Sequence, residues 1–474
     1  MTLNACETIP DYPNQPLGAG NYNHEAVLPK PTSPEEPVIL LAFSGGGSRA
    51  AALALAVLDE LRVYSFDENG QRSRLVDHIK VISSVSGGSV TSAWFGLVGP
   101  DGMDALKDDF LLKDNMATLE WTAADPITWV RLTFSNYTRI DALRDLLDER
   151  LFHGKRFADF ARPGAPLVIL NATDMASGEV FAFTTQHFND ICSDLGALPI
   201  SVGVAASAAF PVALSPMSLK VYSGPNCVGA IPDDSWIKSD LTLVGPRYLN
   251  IEEFKQARYS NALRHGPDAF RPIDYLHLLD GGLVDNQGVH SLMDVVISPH
   301  GPIGLLDAIN TGRVKRVVII AINARADADN GVGRQASVPS IIEEVSTVTG
   351  APIDATTAYA NASLKLLADT LIQAGQDAKN APGHPKFAGL TVYPISIDFD
   401  QFRDNQTALR DRVKAIGTSW NLSASELNDT MEAGRILLDQ HPCFQRLLYD
   451  LKSNATIVDP NTMQLCPEGA PANQ

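Results

Sequence analysis

The sequence predicts an α/β fold with a mainly parallel central sheet and helices on both faces. Runs dominated by apolar residues, as in strands buried on both faces, occur at residues 38–43, 166–171 and 314–323. Helical segments separate these runs, such as the Ala- and Leu-rich residues 48–61 and the amphipathic residues 140–152. Strands that alternate with helices favour a parallel sheet covered on each side.

The composition indicates a globular protein with an acidic surface. The chain has 474 residues, of which 37 are Lys or Arg and 55 are Asp or Glu, giving a net charge of −18. Nucleic-acid binding needs clustered Lys and Arg, so no nucleic-acid partner is predicted. The same charge argues against a purely electrostatic grip on anionic lipid. Residues 50–58 form a long apolar run, but it is far shorter than the ~18 residues of a transmembrane helix.

The elements follow in order along the chain. Residues 1–36 are rich in Pro, Asn and Gly without periodicity, which predicts an extended lead-in. Further strands are expected at residues 78–84, 275–279 and 390–397. A hairpin is expected at residues 173–185. Residues 224–271 form a long polar segment of the kind that serves as a lid or binding loop. In the helical C-terminal third, a capping box at Ser423 and Glu426 predicts a helix that continues to Leu438.

Five cysteines leave the redox state and the compartment open. Their spacing suggests two disulfides, which would join Cys192 to Cys227 and Cys443 to Cys466. The alternative is five reduced, buried thiols in a cytoplasmic protein. Residues 3–6 have the shape of a bacterial lipoprotein processing site, in which Cys6 would carry lipid, although no charged and apolar leader precedes it. An exported or lipid-anchored protein of a bacterial envelope is therefore the second expectation.

Three glycines, Gly45, Gly46 and Gly47, lie between the first strand and a helix N-terminus. Glycine lets backbone N–H groups approach a ligand, and the helix dipole favours negative charge there. Such a turn suits an oxyanion hole for acyl transfer, or a dinucleotide-phosphate site, whose fingerprint Gly45-x-Gly47-x-x-Ala50 also satisfies. The latter needs an acidic residue after a second strand, and Asp67, near the expected position, lies in a predicted polar loop. Tight strand–helix packing alone is the third interpretation.

Ser86 lies between a β-branched strand and a helix that begins near Gly87, which is the context of a nucleophile elbow. Small residues flank such a serine because the sharp turn leaves no room for side chains. The usual G-x-S-x-G pattern is Ser84-Val85-Ser86-Gly87-Gly88 here, with serine at the first glycine position. The alternative is a serine-rich turn that only caps the helix.

A nucleophilic serine needs a base. Asp280, followed by Gly281 and Gly282, comes at the end of a strand candidate, where α/β sheets bind ligands. A turn-forming Asp–Gly pair without a catalytic role is the alternative. His290 is the best candidate if a triad with histidine exists, whereas His277 is expected to be a core histidine.

Together, the motifs SGGGSRA, SVSGGS and DGG, in that order, resemble those of the patatin-like phospholipase family. Residues 204–216 (VAASAAFPVALSP) and 171–183 are similar to two further blocks of that family. The resemblance covers residues 37–323, with Ser84 and Ala50 as departures from the glycine pattern. It implies a patatin-like three-layer catalytic core over these residues, with a C-terminal strand and helices of residues 324–474 packed on the core.

The resemblance implies a serine acyl hydrolase of the phospholipase or lysophospholipase type with a Ser–Asp dyad. Ser86 would attack the ester carbonyl and form an acyl-enzyme, and Asp280 would accept the serine proton directly. The three glycines of the first turn would supply the oxyanion N–H groups, and Arg49 would stabilise that loop or a substrate phosphate. An ordinary Asp pKa of about 3.9 makes a poor base, so partial burial has to raise it.

The expected partner is a lipid ester at a membrane or micelle surface. The acyl-chain channel is expected in residues 101–165 and 224–271. No metal or other cofactor is predicted, and residues 327–331 (DADNG) are one residue short of a calcium-loop pattern. Hydrolysis and acyl transfer to another acceptor both fit these residues.

Two other functions stay open. One is a nucleotide-binding oxidoreductase that uses residues 45–50, which leaves the other two motifs unexplained. The other is a catalytically silent binding protein of the same fold, against which the presence of both Ser86 and Asp280 counts.

Overall fold

The computed structural model describes residues 12–18, 33–34, 36–68, 70–124, 137–211, 213–223, 227, 259–264, 273–297, 304–325, 341–380, 387, 389–454 and 462–466. The strands of this part are β1 (Pro37–Phe43), β2 (Ser65–Glu68), β3 (Gln71–Arg74), β4 (Ile79–Val85), β5 (Leu167–Asp174), β6 (Val180–Ala182), β7 (Met217–Lys220), β8 (Tyr275–Asp280), β9 (Arg316–Asn323) and β10 (Thr391–Asp398).

The α-helices of the same part are α1 (Gly47–Val63), α2 (Gly87–Val98), α3 (Asp104–Leu106), α4 (Asn115–Ala124), α5 (Arg139–Leu147), α6 (Thr185–Asp190), α7 (Ile200–Ser207), α8 (Gly282–Asp285), α9 (Val289–Ile297), α10 (Leu305–Asn310), α11 (Ile341–Asn380), α12 (Thr407–Ala415), α13 (Ala424–Asp439) and α14 (Pro442–Asp450). Short 3₁₀ or π turns are formed by Leu75–His78, Pro100–Gly102, Lys107–Leu111, Asp148–Phe152, Phe157–Phe160, Phe399–Gln401, Asp404–Gln406 and Thr462–Leu465.

Eight strands form one sheet in the order β10-β9-β1-β4-β5-β8-β7, with β6 paired to β5. The run from β10 to β5 is parallel, and β6, β7 and β8 join by antiparallel pairing. The predicted mainly parallel α/β sheet is therefore confirmed. Its central strands β1 and β4 are buried along their whole length, as expected for strands covered on both faces.

Two hydrophobic layers cover the sheet, because successive side chains of a strand point to opposite faces. From β1, Ile39, Leu41 and Phe43 join the layer that contains α1, α2, α13 and α14. Val38 and Leu40 join the layer that contains α9, α10 and part of α11. The sheet and its two helical layers give the three-layer architecture.

Several details differ from the sequence-based expectations. The segment around Asp67 is not a polar loop: β2 and β3 form an antiparallel hairpin apart from the main sheet. His277 is not a core histidine, since the alternation of β8 turns it outward, where Ser218 Oγ lies 2.8 Å from its Nδ1. The helix opened by the capping box at Ser423 runs to Asp439, one residue beyond the predicted end.

Most of residues 224–271 and all of residues 327–331 lie outside the described residues, so neither expectation can be placed in the fold. Of the lead-in, residues 12–18 pack beside α6, where Leu17 N–H donates to Cys192 O at 3.0 Å. No helix in the described ranges combines the length and the apolar character needed to cross a bilayer.

Both cysteine pairs suggested by the spacing are disulfides in the structure. The Cα atoms of Cys192 and Cys227 are 5.4 Å apart, and those of Cys443 and Cys466 are 4.8 Å apart, within the usual range for disulfides. The second bond joins the start of α14 to the Thr462–Leu465 turn, and so fixes the end of the described chain to the helical layer.

Replacing Cys443 and Cys466 together by Ser should lower the free energy of unfolding by about 3 kcal/mol, because the disulfide closes a loop with a sequence separation of 23 residues. Urea unfolding of both proteins measures the difference, with dithiothreitol-treated wild type as the control. Alkylation and intact-mass analysis that found five free thiols in the untreated protein would contradict the assignment.

Candidate active site

The strand order brings the three glycine-containing motifs to one edge of the sheet. β1 and β4 are parallel neighbours with Phe43 opposite Ser84, so the turns that follow them lie side by side. On the other side of β4, Val85 pairs with Asn171 of β5. β8 runs antiparallel to β5 and ends with Asp280 opposite Ala172, so its carboxyl end reaches the same edge from the opposite direction.

The turn at Ser86 has the strained backbone of a nucleophile elbow. Ser86 is the N-cap of α2 with φ 50° and ψ −118°, a region that non-glycine residues rarely adopt. Its N–H donates to Ser207 Oγ at 2.9 Å, which holds the strained peptide in place. The serine is only 7% exposed.

Ser84 occupies the position that is glycine in the usual elbow pattern. It is fully buried at the end of β4, where its hydroxyl shares a hydrogen bond of 2.5 Å with Ser92 Oγ and accepts one of 3.2 Å from Ser89 Oγ. Because α2 supplies these partners, the extra hydroxyl is satisfied and the elbow tolerates the departure.

The two glycine turns touch backbone to backbone, which explains their lack of side chains. A Cβ on Gly87 would lie 1.9 Å from Gly47 O, and one on Gly88 would lie 2.7 Å from Phe43 Cβ. Gly47 itself has φ +60°, and a Cβ there would lie 2.3 Å from Ser419 O. No side chain can replace these hydrogens without moving backbone.

The N–H groups of the first turn have different partners. Gly45 N–H donates to Asn286 O at 2.9 Å, and Ser48 N–H donates to Ser419 O at 2.8 Å. Within the described ranges, the N–H groups of Gly46 and Gly47 have no acceptor. Since α1 has no side-chain N-cap, two donors at its positive end stay available for an anion.

Arg49 lies behind this turn and not in the crevice. Its side chain is 2% exposed, and it donates from Nε to Ala324 O at 2.8 Å and from Nη1 to Ile416 O. Nη2 lies 3.5 Å from where a Gly46 Cβ would be. Burial lowers the pKa of Arg49 to about 10, so the guanidinium keeps its charge at neutral pH. Of the two roles implied for Arg49, these contacts fit stabilisation of the loop.

Asp280 faces Ser86 from β8 as a buried carboxylate. It is 6% exposed, and burial raises its pKa from 3.8 to about 6. Two interactions lower the pKa of Asp280 and so partly offset the effect of burial. One is the hydrogen bond from Gly282 N–H to Oδ1 at 2.7 Å, and the other comes from the Ser86 side chain. A Cβ on Gly281 would lie 2.4 Å from Asn171 O, so only glycine fits after the aspartate.

Ser207 connects the elbow to the Asp-Gly-Gly turn, a role that sequence reasoning missed. Its Oγ accepts from Ser86 N–H and donates to Asn171 O at 2.6 Å, while its carbonyl accepts from Gly281 N–H at 3.2 Å. The neighbouring Ala209 O accepts from Asp280 N–H at 2.9 Å. The signal was present in the segment at residues 204–216, but nothing in its composition shows which atoms it contacts.

His290, the candidate for a triad, has other partners. The ring Nδ1 of His290 lies 3.3 Å from Asp285 Oδ2, and its backbone N–H donates to the same oxygen at 2.8 Å. The ring stacks on Tyr359. No contact with Ser86 is found for it in the described structure. The Asp285 carboxylate accepts from the backbone N–H groups of Val289 and His290 and so fixes the turn before α9.

A potential metal-ligand group lies at the other end of the sheet. Ligand atoms of Glu36, Glu68 and His78 are within 4.8 Å of one another, near the amino ends of β1 and β4. Lys80 Nζ already contacts Glu36 Oε1 at 2.8 Å. This group is remote from Ser86 and takes no part in the chemistry considered below.

Comparison with known proteins identifies the family. The sequence profile of the patatin-like phospholipases matches residues 41–293, which is more than half of the chain. The chain belongs to the patatin-like phospholipase family, a family of lipid hydrolases, and its three motifs all lie within the match.

Matches were also found among solved structures. Human GIVD cytosolic phospholipase A2 is 12% identical with a TM-score of 0.43, over 88% of this chain and 63% of that protein. VipD from Legionella pneumophila is 10% identical with a TM-score of 0.26, over 88% and 71%. ExoU of Pseudomonas aeruginosa, in complex with SpcU, is 12% identical with a TM-score of 0.22, over 85% and 88%. The chain thus spans less than two thirds of the human protein. No curated protein sequence matches it.

The raised pKa of Asp280 predicts that its ionised carboxylate destabilises the fold above about pH 6. The folded protein holds the proton more tightly than the unfolded chain, so stability falls as the pH rises from 3.8 to about 6. Above this range the ionised carboxylate costs about 3 kcal/mol, at 1.36 kcal/mol per pKa unit. Asp280→Asn should raise the free energy of unfolding at pH 8 by up to that amount.

Urea unfolding at pH 8 and pH 5 measures this effect, and the gain should shrink at pH 5, where part of the wild-type carboxyl is protonated. Asp285→Asn is the control for amide substitution as such, because Asp285 is fully buried and yet His290 and backbone N–H groups hold its pKa below the usual value, so this variant should not gain stability. A variant of Asp280 that is no more stable than wild type at pH 8 would contradict the analysis.

Proposed function

We propose that the protein is a serine acyl hydrolase that cleaves fatty-acyl esters of lipids with a Ser86–Asp280 dyad. One observation carries the proposal: a serine on a strained turn has its side chain beside a buried carboxylate of raised pKa, next to a turn with two free N–H groups. Membership of a lipid-hydrolase family supports the substrate class. We assign catalysis to the core of residues 37–323 and treat residues 324–474 as an extension packed on it.

In the acylation step, Ser86 Oγ attacks the ester carbonyl while Asp280 takes the hydroxyl proton. The new C–O bond forms as the carbonyl π electrons move to oxygen, and Gly46 and Gly47 N–H groups stabilise that oxyanion. When the tetrahedral intermediate collapses, the alkoxide leaves and takes the proton from Asp280. Water then repeats the sequence on the acyl-enzyme and releases the fatty acid.

The environment of Asp280 suits this role. A carboxylate with a pKa of about 6 is a stronger base than an ordinary aspartate, yet it is still mostly ionised at pH 7. The hydrogen bond from Gly282 N–H fixes one carboxylate oxygen, which leaves the other lone pairs for the serine. No histidine is needed between the two residues.

The substrate class follows from the family and from the position of Arg49. Membership of the family supports a lipid ester as the substrate, and we propose that the protein meets it at a membrane or micelle surface. Because Arg49 is buried behind the turn and bonded to two carbonyls, it is not a ligand for a phosphate headgroup. Recognition of a phosphate headgroup then falls to residues other than Arg49.

The nucleotide-binding alternative is less well supported. Gly45 N–H is already bonded to Asn286 O. Asp67, which that function would need at the end of a second parallel strand, lies in the β2–β3 hairpin.

A fluorophosphonate probe should label Ser86 of the purified protein, with the adduct located by peptide mass spectrometry. Ser86→Ala should carry no label, and Asp280→Asn should be labelled at least 10²-fold more slowly, because the nucleophile loses its base. Turnover of a lysophospholipid in detergent micelles should fall in parallel. A folded wild-type protein that is neither labelled nor active would contradict the proposed function and favour a silent binding protein.

The pH dependence of kcat/KM should show the ionisation of Asp280 and of no histidine. The base is active when ionised, so kcat/KM should fall tenfold per pH unit below about pH 6. His290→Ala should keep this limb and stay within a few-fold of wild-type turnover per labelled serine. A loss on the order of 10³-fold in His290→Ala would instead indicate a triad.

A further inference from the structure

A short loop of the C-terminal third, residues 416–421, is bonded to the back of the glycine turn. Ser419 O accepts from Ser48 N–H at 2.8 Å, and Ile416 O accepts from Arg49 Nη1. Ser419 is also in direct backbone contact with Gly47, as its carbonyl would lie 2.3 Å from a Gly47 Cβ. This loop lies well beyond the residues that match the family profile.

These contacts decide which N–H groups of the turn remain free. The first N–H groups of a helix have no partner within the helix, and α1 has no side chain to cap them. Ser419 O takes the N–H of Ser48, the second helical residue, and leaves those of Gly46 and Gly47. The 416–421 loop therefore acts as a backbone cap that leaves the two donors needed for one oxyanion.

The far side of the 416–421 loop is attached to the start of α4. Asn421 accepts from Met116 N–H at 2.9 Å and donates to Asp114 Oδ1 at 2.6 Å. Asn115, which is fully buried, donates to Trp420 O at 3.0 Å. The loop is thus held on both sides, by α4 and by the turn, and displacement of its α4 side would move Ser419 O.

We infer that the 416–421 loop positions the oxyanion turn, with Asn421 as the positioning residue that fixes the loop. This inference rests on the proposed function. Asn421 touches neither Ser86 nor Asp280 in the contacts described, so it acts through Ser419 O and the Gly46–Gly47 peptides. Since oxyanion donors act on the transition state, loss of their position should lower kcat and leave KM unchanged.

The test compares Asn421→Ala with Tyr393→Phe, in the full-length protein, on a lysophospholipid in micelles. Tyr393 lies in β10 of the same C-terminal third, and its hydroxyl donates to Asp450 Oδ2 at 2.9 Å without contacting the loop. Tyr393→Phe thus loses one partly buried hydrogen bond, and Asn421→Ala loses one partly buried and one exposed hydrogen bond. Stability is measured for both by urea unfolding.

We expect Asn421→Ala to lower kcat at least tenfold, short of the 10²–10³-fold loss on removing an oxyanion donor outright, with KM within twofold of wild type. Fluorophosphonate should still label one serine per chain at completion, but more slowly. The acidic limb of the kcat/KM profile, which Asp280 sets, should stay at the same pH as in the wild type. Tyr393→Phe should lose stability and keep kcat per labelled serine.

Asp114→Ala is a second variant that leaves the loop sequence intact, so it remains informative if Asn421→Ala does not fold. It removes the exposed partner of Asn421 together with the acceptor of Ala117 N–H at the start of α4. It should lower kcat in the same direction by a smaller factor. An active wild type whose kcat is unchanged in these variants, or falls only with the labelled fraction, would overturn the positioning role alone. An unlabelled, inactive wild type would overturn the proposed function, and the positioning role with it.

Discussion

The site depends on one close backbone contact, in which the carbonyl of Gly47 lies against the Cα of Gly87. It exists because β1 and β4 are adjacent and parallel, so the turns after both strands emerge at the same edge. The contact leaves no space for side chains at either position. It also fixes the distance between the strained serine of the elbow and the free N–H groups of the first turn. Gly47 and Gly87, far apart in the sequence, are thus both required by the close approach of the two turns.

The same edge concentrates unfavourable electrostatics. Asp280 is a buried carboxyl whose ionisation is disfavoured, and Arg49 is a buried guanidinium whose described hydrogen bonds go to carbonyl oxygens. Neither has an oppositely charged partner in the described ranges. Arrangements of this kind lower stability and are tolerated where function needs them. Backbone hydrogen bonds to both groups keep them in place, so the rigidity of the site comes from peptides more than from ion pairs.

The sequence was sufficient for the parallel strands of the sheet and for the motif residues brought to its edge, because apolar runs and glycine spacing are local signals, but the β2–β3 hairpin and β7 were not predicted. It was insufficient for features that depend on how distant segments of the chain pair with one another. The antiparallel direction of β8 is invisible in its pattern, and so is the outward position of His277, although both follow once β8 pairs with β5. Ser207 was visible as part of a motif, but its bonds to three other segments are tertiary. Likewise, the 416–421 loop contributes carbonyl oxygens, which carry no sequence signal.

The three motifs alone do not define the oxyanion turn of the proposed hydrolase. The three motifs supply the serine, the aspartate and the donors, yet a helix N-terminus with several free N–H groups is an unspecific anion site. For only the N–H groups of Gly46 and Gly47 to stay free, the N–H of Ser48 needs an acceptor. Here the carbonyl of Ser419, far along the chain, is that acceptor. The identity of the residue at Ser419 matters little for this contact, whereas the path of its backbone matters a great deal. If the proposed positioning role holds, chains that share all three motifs can differ in catalytic rate through C-terminal segments that share no sequence.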